Sequence, residues 1–255
     1  MFFAYIFATL LSLLLIGLSI RWLRNFFVTN QSQSTLPTPL DPNRIIDPEC
    51  IFATGVIGGG EPEYAVIDFQ ATGLSTMPGK EDRVLQVACL LLDKELTPVD
   101  RMIALVRQET LGPAQAQAVH HIHASDLEAY GQPEEQVMNR LWSKVREVPT
   151  LVFHNAEYDL AIWLGSLRTF APERIPLLQA KKTVCTMLHF TAEAGEDTHY
   201  PSLIALTSRL SGLPPRSLYT DLPVAWRNVC LTRYCLSRII GERSHLTEPT
   251  APPSV

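Results

Sequence analysis

No charged side chain and no histidine occurs in residues 1–20, where only Thr9, Ser12, Gly17 and Ser19 interrupt an apolar run. No basic residue precedes this run and no small-residue cleavage site follows it, which argues against a removable signal peptide. Cysteine is sparse: Cys50, Cys89, Cys185, Cys230 and Cys235 are odd in number and no pair has CxxC spacing. Neither a zinc site nor a disulfide framework is indicated, and buried free thiols in a reducing compartment are the simplest account. There is no glycine period and no internal repeat, and 46% of residues are apolar, which excludes collagen-like and disordered chains. A surplus of basic residues is also lacking. The net charge of −5 argues against strong non-specific binding of a nucleic-acid duplex.

What is present first is a span. Twenty apolar residues in a helix rise about 30 Å, the thickness of a bilayer core. Arg21, Trp22 and Arg24 follow it directly, a flank suited to headgroups. Residues 1–24 are therefore expected to be a retained transmembrane anchor with its basic flank. Because the arginines lie only on the C-terminal side, the remainder of the chain is expected in the cytoplasm, on the inner (cytoplasmic) membrane. Residues 25–61 read as linker, rich in Asn, Gln, Ser, Thr and Pro and ending in the flexible GVIGGG. Residues 62–243 carry the folded domain, and residues 244–255, with three prolines, a frayed tail.

Within the domain the pattern is α/β. Residues 64–69 form a short buried strand, and 83–92 and 95–107 form two more, turning at Asp93 and Lys94. Residues 133–147 spell an amphipathic helix with acids in its first turn and Val137, Leu141, Trp142 and Val145 on one face. A strand at 150–153, a helix at 156–167 and later helices at 201–210 and 221–240 complete a mixed sheet with helices around it.

Three acids stand at strand ends or helix starts. Asp68 ends the first strand, Asp159 lies one turn into the helix after residues 150–153, and Asp221 opens the last helix. Brought together they would repel one another without a cation, which suggests Mg²⁺ or Mn²⁺. Each also has a plain structural reading: Asp221 before Leu222-Pro223 as a helix cap, Asp68 bonded to the turn amides of Ala71 to Gly73, Asn155 as the cap of the helix carrying Asp159. Spacing alone leaves both readings open.

In order, the chain carries AVIDFQATGLS, DRVLQVACLLLD, AVHHIHASDL, LVFHNAEYDLAIW and RSLYTD. This series resembles the DEDD exonucleases of the ribonuclease-H-like superfamily, in the branch with the proofreading subunit of bacterial DNA polymerase III and ribonuclease T. The resemblance covers about residues 64 to 240. It implies a ribonuclease-H-like mixed sheet flanked by helices, 3′–5′ hydrolysis of phosphodiesters and two metal ions held by four acids, with a histidine five residues before the last acid as general base. Carried over, Asp68 matches the first acid, Asp159 the third and Asp221 the fourth. Gln70 stands where the second acid is expected and Arg216 where the histidine is. The resemblance further sets Thr72, Gly73, Leu74, His154 and Asn155 against the nucleic acid.

Those two departures bear on chemistry. Gln70 is neutral, and the Arg216 guanidinium has no lone pair with which to accept a proton. His199, Glu81 and Asp82 are candidates to compensate. Arg216, in a Gly-Leu-Pro-Pro loop, reads equally well as a surface arginine. His120, His121 and His123 invite a metal-site reading, but their place in the third motif favours a substrate-side or surface turn. Residues 61–160 hold 16 acids and 8 basic residues, whereas residues 168–243 hold 10 basic residues and 6 acids. Arg168, Arg174, Lys181, Lys182, Arg209 and Arg216 are thus available to a phosphate backbone, and short single-stranded 3′ ends suit this balance better than duplex.

The expectation is a membrane-anchored exonuclease-type domain that binds nucleic acid or nucleotide with weak or lost hydrolysis. The alternatives are an active Mg²⁺-dependent exonuclease with an altered site, and a pseudo-exonuclease serving as a protein-docking module.

Overall fold

The structure is a computed structural model describing residues 55–56, 59–73, 82–194, 200–218 and 222–247. The expected anchor, most of the linker and the end of the tail lie outside these residues. Among the described residues no helix is long and apolar enough to cross a membrane.

Six strands form one sheet: β1 (Gly55–Val56), β2 (Tyr64–Ala71), β3 (Val84–Leu92), β4 (Pro98–Leu105), β5 (Thr150–Phe153) and β6 (Lys182–Cys185). Their order across the sheet is β1-β4-β3-β2-β5-β6. The pairs β1·β4, β4·β3 and β3·β2 are antiparallel, whereas β2·β5 and β5·β6 are parallel. Strands β2 and β3 are covered on both faces, which is why they read as continuous apolar runs rather than alternating ones.

Side chains on a strand alternate between faces, and β2 divides accordingly. Ala65, Ile67, Phe69 and Ala71 pack with Val137, Leu141 and Val145 of α3 (Glu134–Val145) and Ile162, Trp163 and Leu167 of α4 (Ala156–Phe170). Phe69 and Trp163 meet ring to ring at 5.8 Å. Val66 lies on the opposite face, with Ala88 and Leu90 of β3, under Ala225, Trp226, Val229 and Cys230 of the last helix, Val224–Thr247. Asp68 and Gln70 share that second face.

Two short helices, α1 (Ala114–His120) and α2 (Ala124–Tyr130), occupy the segment expected to be a turn. At seven residues each they are too short for a periodic signal. After α4 come α5 (Ile175–Gln179), α6 (Thr186–Ala194) and α7 (Leu203–Ser211), so the helix ending at Val224–Thr247 is α8. It starts later than the expected 221 because Pro223 serves as its cap, accepting from Arg227 N at 3.0 Å. It runs beyond the expected end at 240 to Thr247, shortly before Pro249, whose ring disfavours helix in the preceding residue. At the other end, Gly55 and Val56, inside the stretch read as linker, pair with Arg101 and Asp100.

A buried carboxylate ties the α3 side together. Glu134 accepts from Arg83 Nη2 at 2.8 Å and Nε at 3.1 Å, from Gln108 Nε2 at 2.7 Å and from the Ser166 hydroxyl. It thereby joins the start of β3, the segment after β4, α3 and α4. Gly112, at φ +80°, fits closely there, since a Cβ would stand 1.7 Å from the Thr72 carbonyl oxygen at the end of β2. Replacing Glu134 with alanine strands four donor groups, two on Arg83 and one each on Gln108 and the buried Ser166, and roughly 3 kcal/mol of stability should be lost. A urea-unfolding midpoint shifted by less than the error of the measurement, at unchanged slope, would show that this network does not hold the domain.

Candidate active site

Strand β2 outruns its parallel neighbour. The last paired residue on that side is Val66, opposite Val152, so the backbone N–H groups further along need other partners. Phe69 N donates to Asp159 Oδ1 at 3.0 Å, which draws the first turn of α4 onto the strand. Asn155 caps this helix, its side chain accepting from Tyr158 N at 3.4 Å. The β2·β3 register shifts between Gln70 and Ala71, a bulge of the kind that re-aims side chains at sheet ends.

Asp68 is not the last residue of its strand, as expected from sequence, but lies inside it, three residues before the end. It does not bond the turn amides. Its Oδ2 accepts from Gln70 Nε2 at 2.6 Å and its Oδ1 from Asn228 Nδ2 at 3.1 Å. Asn228 is set by the helix: Gln86 Oε1, from β3, accepts from Ala225 N at 3.1 Å and fixes the first turn of α8. The Asn228 oxygen accepts in turn from Arg227 Nη2 at 3.3 Å.

Asp68, Gln70, Asp159, His154, Asn155, Tyr158 and Asn228 line one cavity of about 170 Å³, with Ala116, Val119 and Leu203 as apolar wall. Of the residues singled out from sequence, Asp68, Gln70, Asp159, His154 and Asn155 are therefore brought together. Thr72 and Gly73 sit beside the cavity without lining it: Thr72 Oγ1 accepts from Arg83 N at 2.9 Å, and Gly73 O accepts from Tyr158 Oη at 2.7 Å. Arg216 is exposed on the 3₁₀ turn Pro215–Leu218 and does not line the cavity. Leu74, Glu81, His199 and Asp221 lie outside the described residues. Asp82 stands against Gly73, where a Cβ would come within 1.9 Å of its Oδ1, and is not part of the cavity wall.

The histidines have separate tasks. His120 accepts from Ile122 N through Nδ1 at 2.9 Å and points Nε2 at Leu111 O at 3.1 Å. His121 ends α1 in the left-handed conformation, and His123 N donates to Asp126 Oδ2 at 2.9 Å ahead of α2. His154 points Nε2 at Pro201 O at 3.1 Å and Nδ1 at Thr186 Oγ1 at 3.0 Å. A carbonyl only accepts, so Nε2 carries a proton. Burial lowers the His154 pKa to about 4 and so keeps the ring neutral at pH 7.

Burial pushes the Asp68 carboxyl up to about 7, against the Gln70 and Asn228 hydrogen bonds and the Arg227 charge, which pull it down. Burial, with the Asp68 charge added, holds Asp159 well above the carboxylate range. Two carboxylates and three carboxamides thus line the cavity, with both oxygens of Asp68 already accepting N–H. Among the described residues no group of three or more His, Cys, Asp or Glu could hold a metal ion. These residues do not fit a pair of divalent cations.

Asn228 was not singled out from sequence, since an uncharged residue inside a helix carries no motif signal; its one clue is a place one turn into α8. A second cavity of about 390 Å³, sharing His120, is lined by Gln86, Pro223 and Arg227.

No known protein-family model matches the chain, and no curated protein matches it. Solved structures do. The chain is similar to E. coli exonuclease I in complex with a dT13 oligonucleotide, with TM-score 0.57 and 15% identity over 72% of this chain and 42% of that one. The zinc-ion-bound E. coli exonuclease I–ssDNA complex gives 0.57 and 16%, over 72% and 41%. Exonuclease I from Methylocaldum szegediense gives 0.51 and 18%, over 69% and 40%. The fold is shared with these enzymes, and the chain spans about two-fifths of their length.

The two shifted groups act on stability in opposite directions. An acid whose pKa is raised by folding stabilises the fold while protonated, below about pH 4, and loses that contribution as pH rises through 7. A histidine whose pKa is lowered stabilises the fold above about pH 6.5 and loses that as pH falls toward 4. The unfolding free energy of Asp68→Asn relative to the unaltered chain should therefore rise between about pH 5 and pH 8. A flat difference across that range, measured by chemical denaturation, would refute the burial of a charged Asp68.

Proposed function

We propose that this chain binds nucleic acid, at single-stranded 3′ ends or as nucleotide, in the Asp68 cavity, with hydrolysis weak or lost. The observation that carries this reading is the meeting of Asp68, Gln70, Asp159, His154 and Asn155 in one cavity, at the end of a sheet whose fold is shared with exonuclease I. Structural neighbours were solved with single-stranded DNA, which supports the choice of ligand. The adjoining cavity of about 390 Å³ adds the Arg227 charge beside the site.

Chemically, among the described residues Asp68 and Asp159 are the only acids lining the first cavity. Phosphodiester hydrolysis of the two-metal kind needs carboxylates to hold the ions and a group to take a proton from water. Gln70 supplies no charge, and Arg216, away from the cavity, supplies no base. His154 lines the cavity, but both its ring nitrogens are engaged and its proton affinity is low. Binding survives this loss of charge better than catalysis does.

The purified full-length chain, incubated with end-labelled single-stranded DNA or RNA and Mg²⁺ or Mn²⁺, should retain the oligonucleotide at low salt without stepwise 3′ shortening. Shortening that disappears in Asp68→Ala would replace this reading with that of an active exonuclease. No retention at low salt would replace it with the protein-docking module. We also propose that residues 1–24 anchor the chain in the cytoplasmic membrane with the domain in the cytoplasm. A reporter fused at the C-terminus should be active on the cytoplasmic side, and activity confined to the other side would reverse that orientation.

A further inference from the structure

We infer that this cavity takes its ligand without a divalent cation, because two carboxamides and a guanidinium are arranged around Asp68 where a metal-bound site requires free carboxylate oxygens. The geometry is specific. Gln70 Nε2 covers one oxygen of Asp68 at 2.6 Å and Asn228 Nδ2 covers the other at 3.1 Å.

An amide can turn its oxygen inward, so its orientation has to be accounted for. Arg227 accounts for that of Asn228. A guanidinium only donates, and its Nη2 lies 3.3 Å from the Asn228 oxygen, so the amide nitrogen is left facing Asp68. Admitting Mg²⁺ or Mn²⁺ onto Asp68 would require both amides to turn and Arg227 to release its acceptor beside a double positive charge. Asp159 offers little help, since its Oδ1 already accepts from Phe69 N at 3.0 Å.

The same geometry offers a second candidate for the fourth position of the sequence motif. Asp221, assigned from motif order, lies outside the described residues, and among the described ones the last-helix side chain bonded to Asp68 is Asn228. Five residues before it stands Pro223, which has no nitrogen able to take a proton. Gln70, Pro223 and Asn228 then make three coordinated departures, all removing metal ligands or the base while keeping the cavity satisfied. The amides remain as donors for a neutral or anionic ligand group. This deepens the proposed function and depends on it only for the ligand's identity.

The test titrates Mn²⁺ alone into the EDTA-stripped full-length chain, following free Mn²⁺ by electron paramagnetic resonance. No stoichiometric uptake is expected up to about 1 mM, and Gln70→Glu with Asn228→Asp should tighten Mn²⁺ binding at least about tenfold, a gain that Asp159→Asn removes. Uptake of one or two ions by the unaltered chain with Kd below about 100 μM, abolished in Asp68→Asn, would overturn the inference. If the double variant does not fold, the titration of the unaltered chain still decides. A single-stranded oligonucleotide that binds should do so equally in EDTA and in Mg²⁺. A loss of about tenfold or more in EDTA would also overturn the inference. Failure to bind in both buffers would overturn the proposed function and leave the Mn²⁺ result standing.

Discussion

The contact between Gln86 and the first turn of α8 sets the rest of the cavity. A helix laid on a sheet by apolar packing alone can slide along its axis at little cost. Here Trp226, Val229 and Cys230 supply the packing, and the Ala225 N–H seated on Gln86 supplies the stop. Gln86 is opposite Gln70 in the β2·β3 ladder, so the residue that positions the helix neighbours the one that bonds Asp68. Asn228, one turn beyond Ala225, is delivered to Asp68 by that register. A shift of one residue in the helix would present Arg227 or Val229 instead.

Two carboxylates, Asp68 and Asp159, then share a buried site. Each is satisfied by neutral donors: amides for Asp68 and a backbone N–H for Asp159. Both are held above their usual proton affinity, chiefly by burial. The cavity is therefore closer to neutral near pH 7 than its residue types suggest. His154, neutral for the same reason, joins β5 to α6 and to Pro201 and acts as a cross-brace.

The sheet and the α3 and α4 helices were legible because their signals are local. Alternation in β4 and the helical stripe from Val137 to Val145 reflect burial on one side, and the apolar runs of β2 and β3 reflect burial on both. Asp68, Gln70, Asp159, His154 and Asn155 were legible through the two motifs that carry them, AVIDFQATGLS and LVFHNAEYDLAIW, although 90 positions separate Phe69 from the Asp159 it bonds. The last helix's contribution was not. Spacing drew attention to Asp221 and Arg216, while Asn228, an uncharged residue inside a helix, is identified by its contact with Asp68 across 160 positions. Helices α1 and α2 and strand β6 escaped for a different reason: each is too short for its period to repeat.

Strand β1 adds a mechanical consequence. The chain enters the sheet at Gly55–Val56, on the edge beyond β4, whereas Asp68 is on β2, three strands and roughly 14 Å across the ladder. Tension arriving through the residues before Gly55 acts first on a two-residue antiparallel pairing, which opens one rung at a time. That short clip is a fuse. Load on that end therefore meets the edge pairing before the buried central strands that carry the cavity.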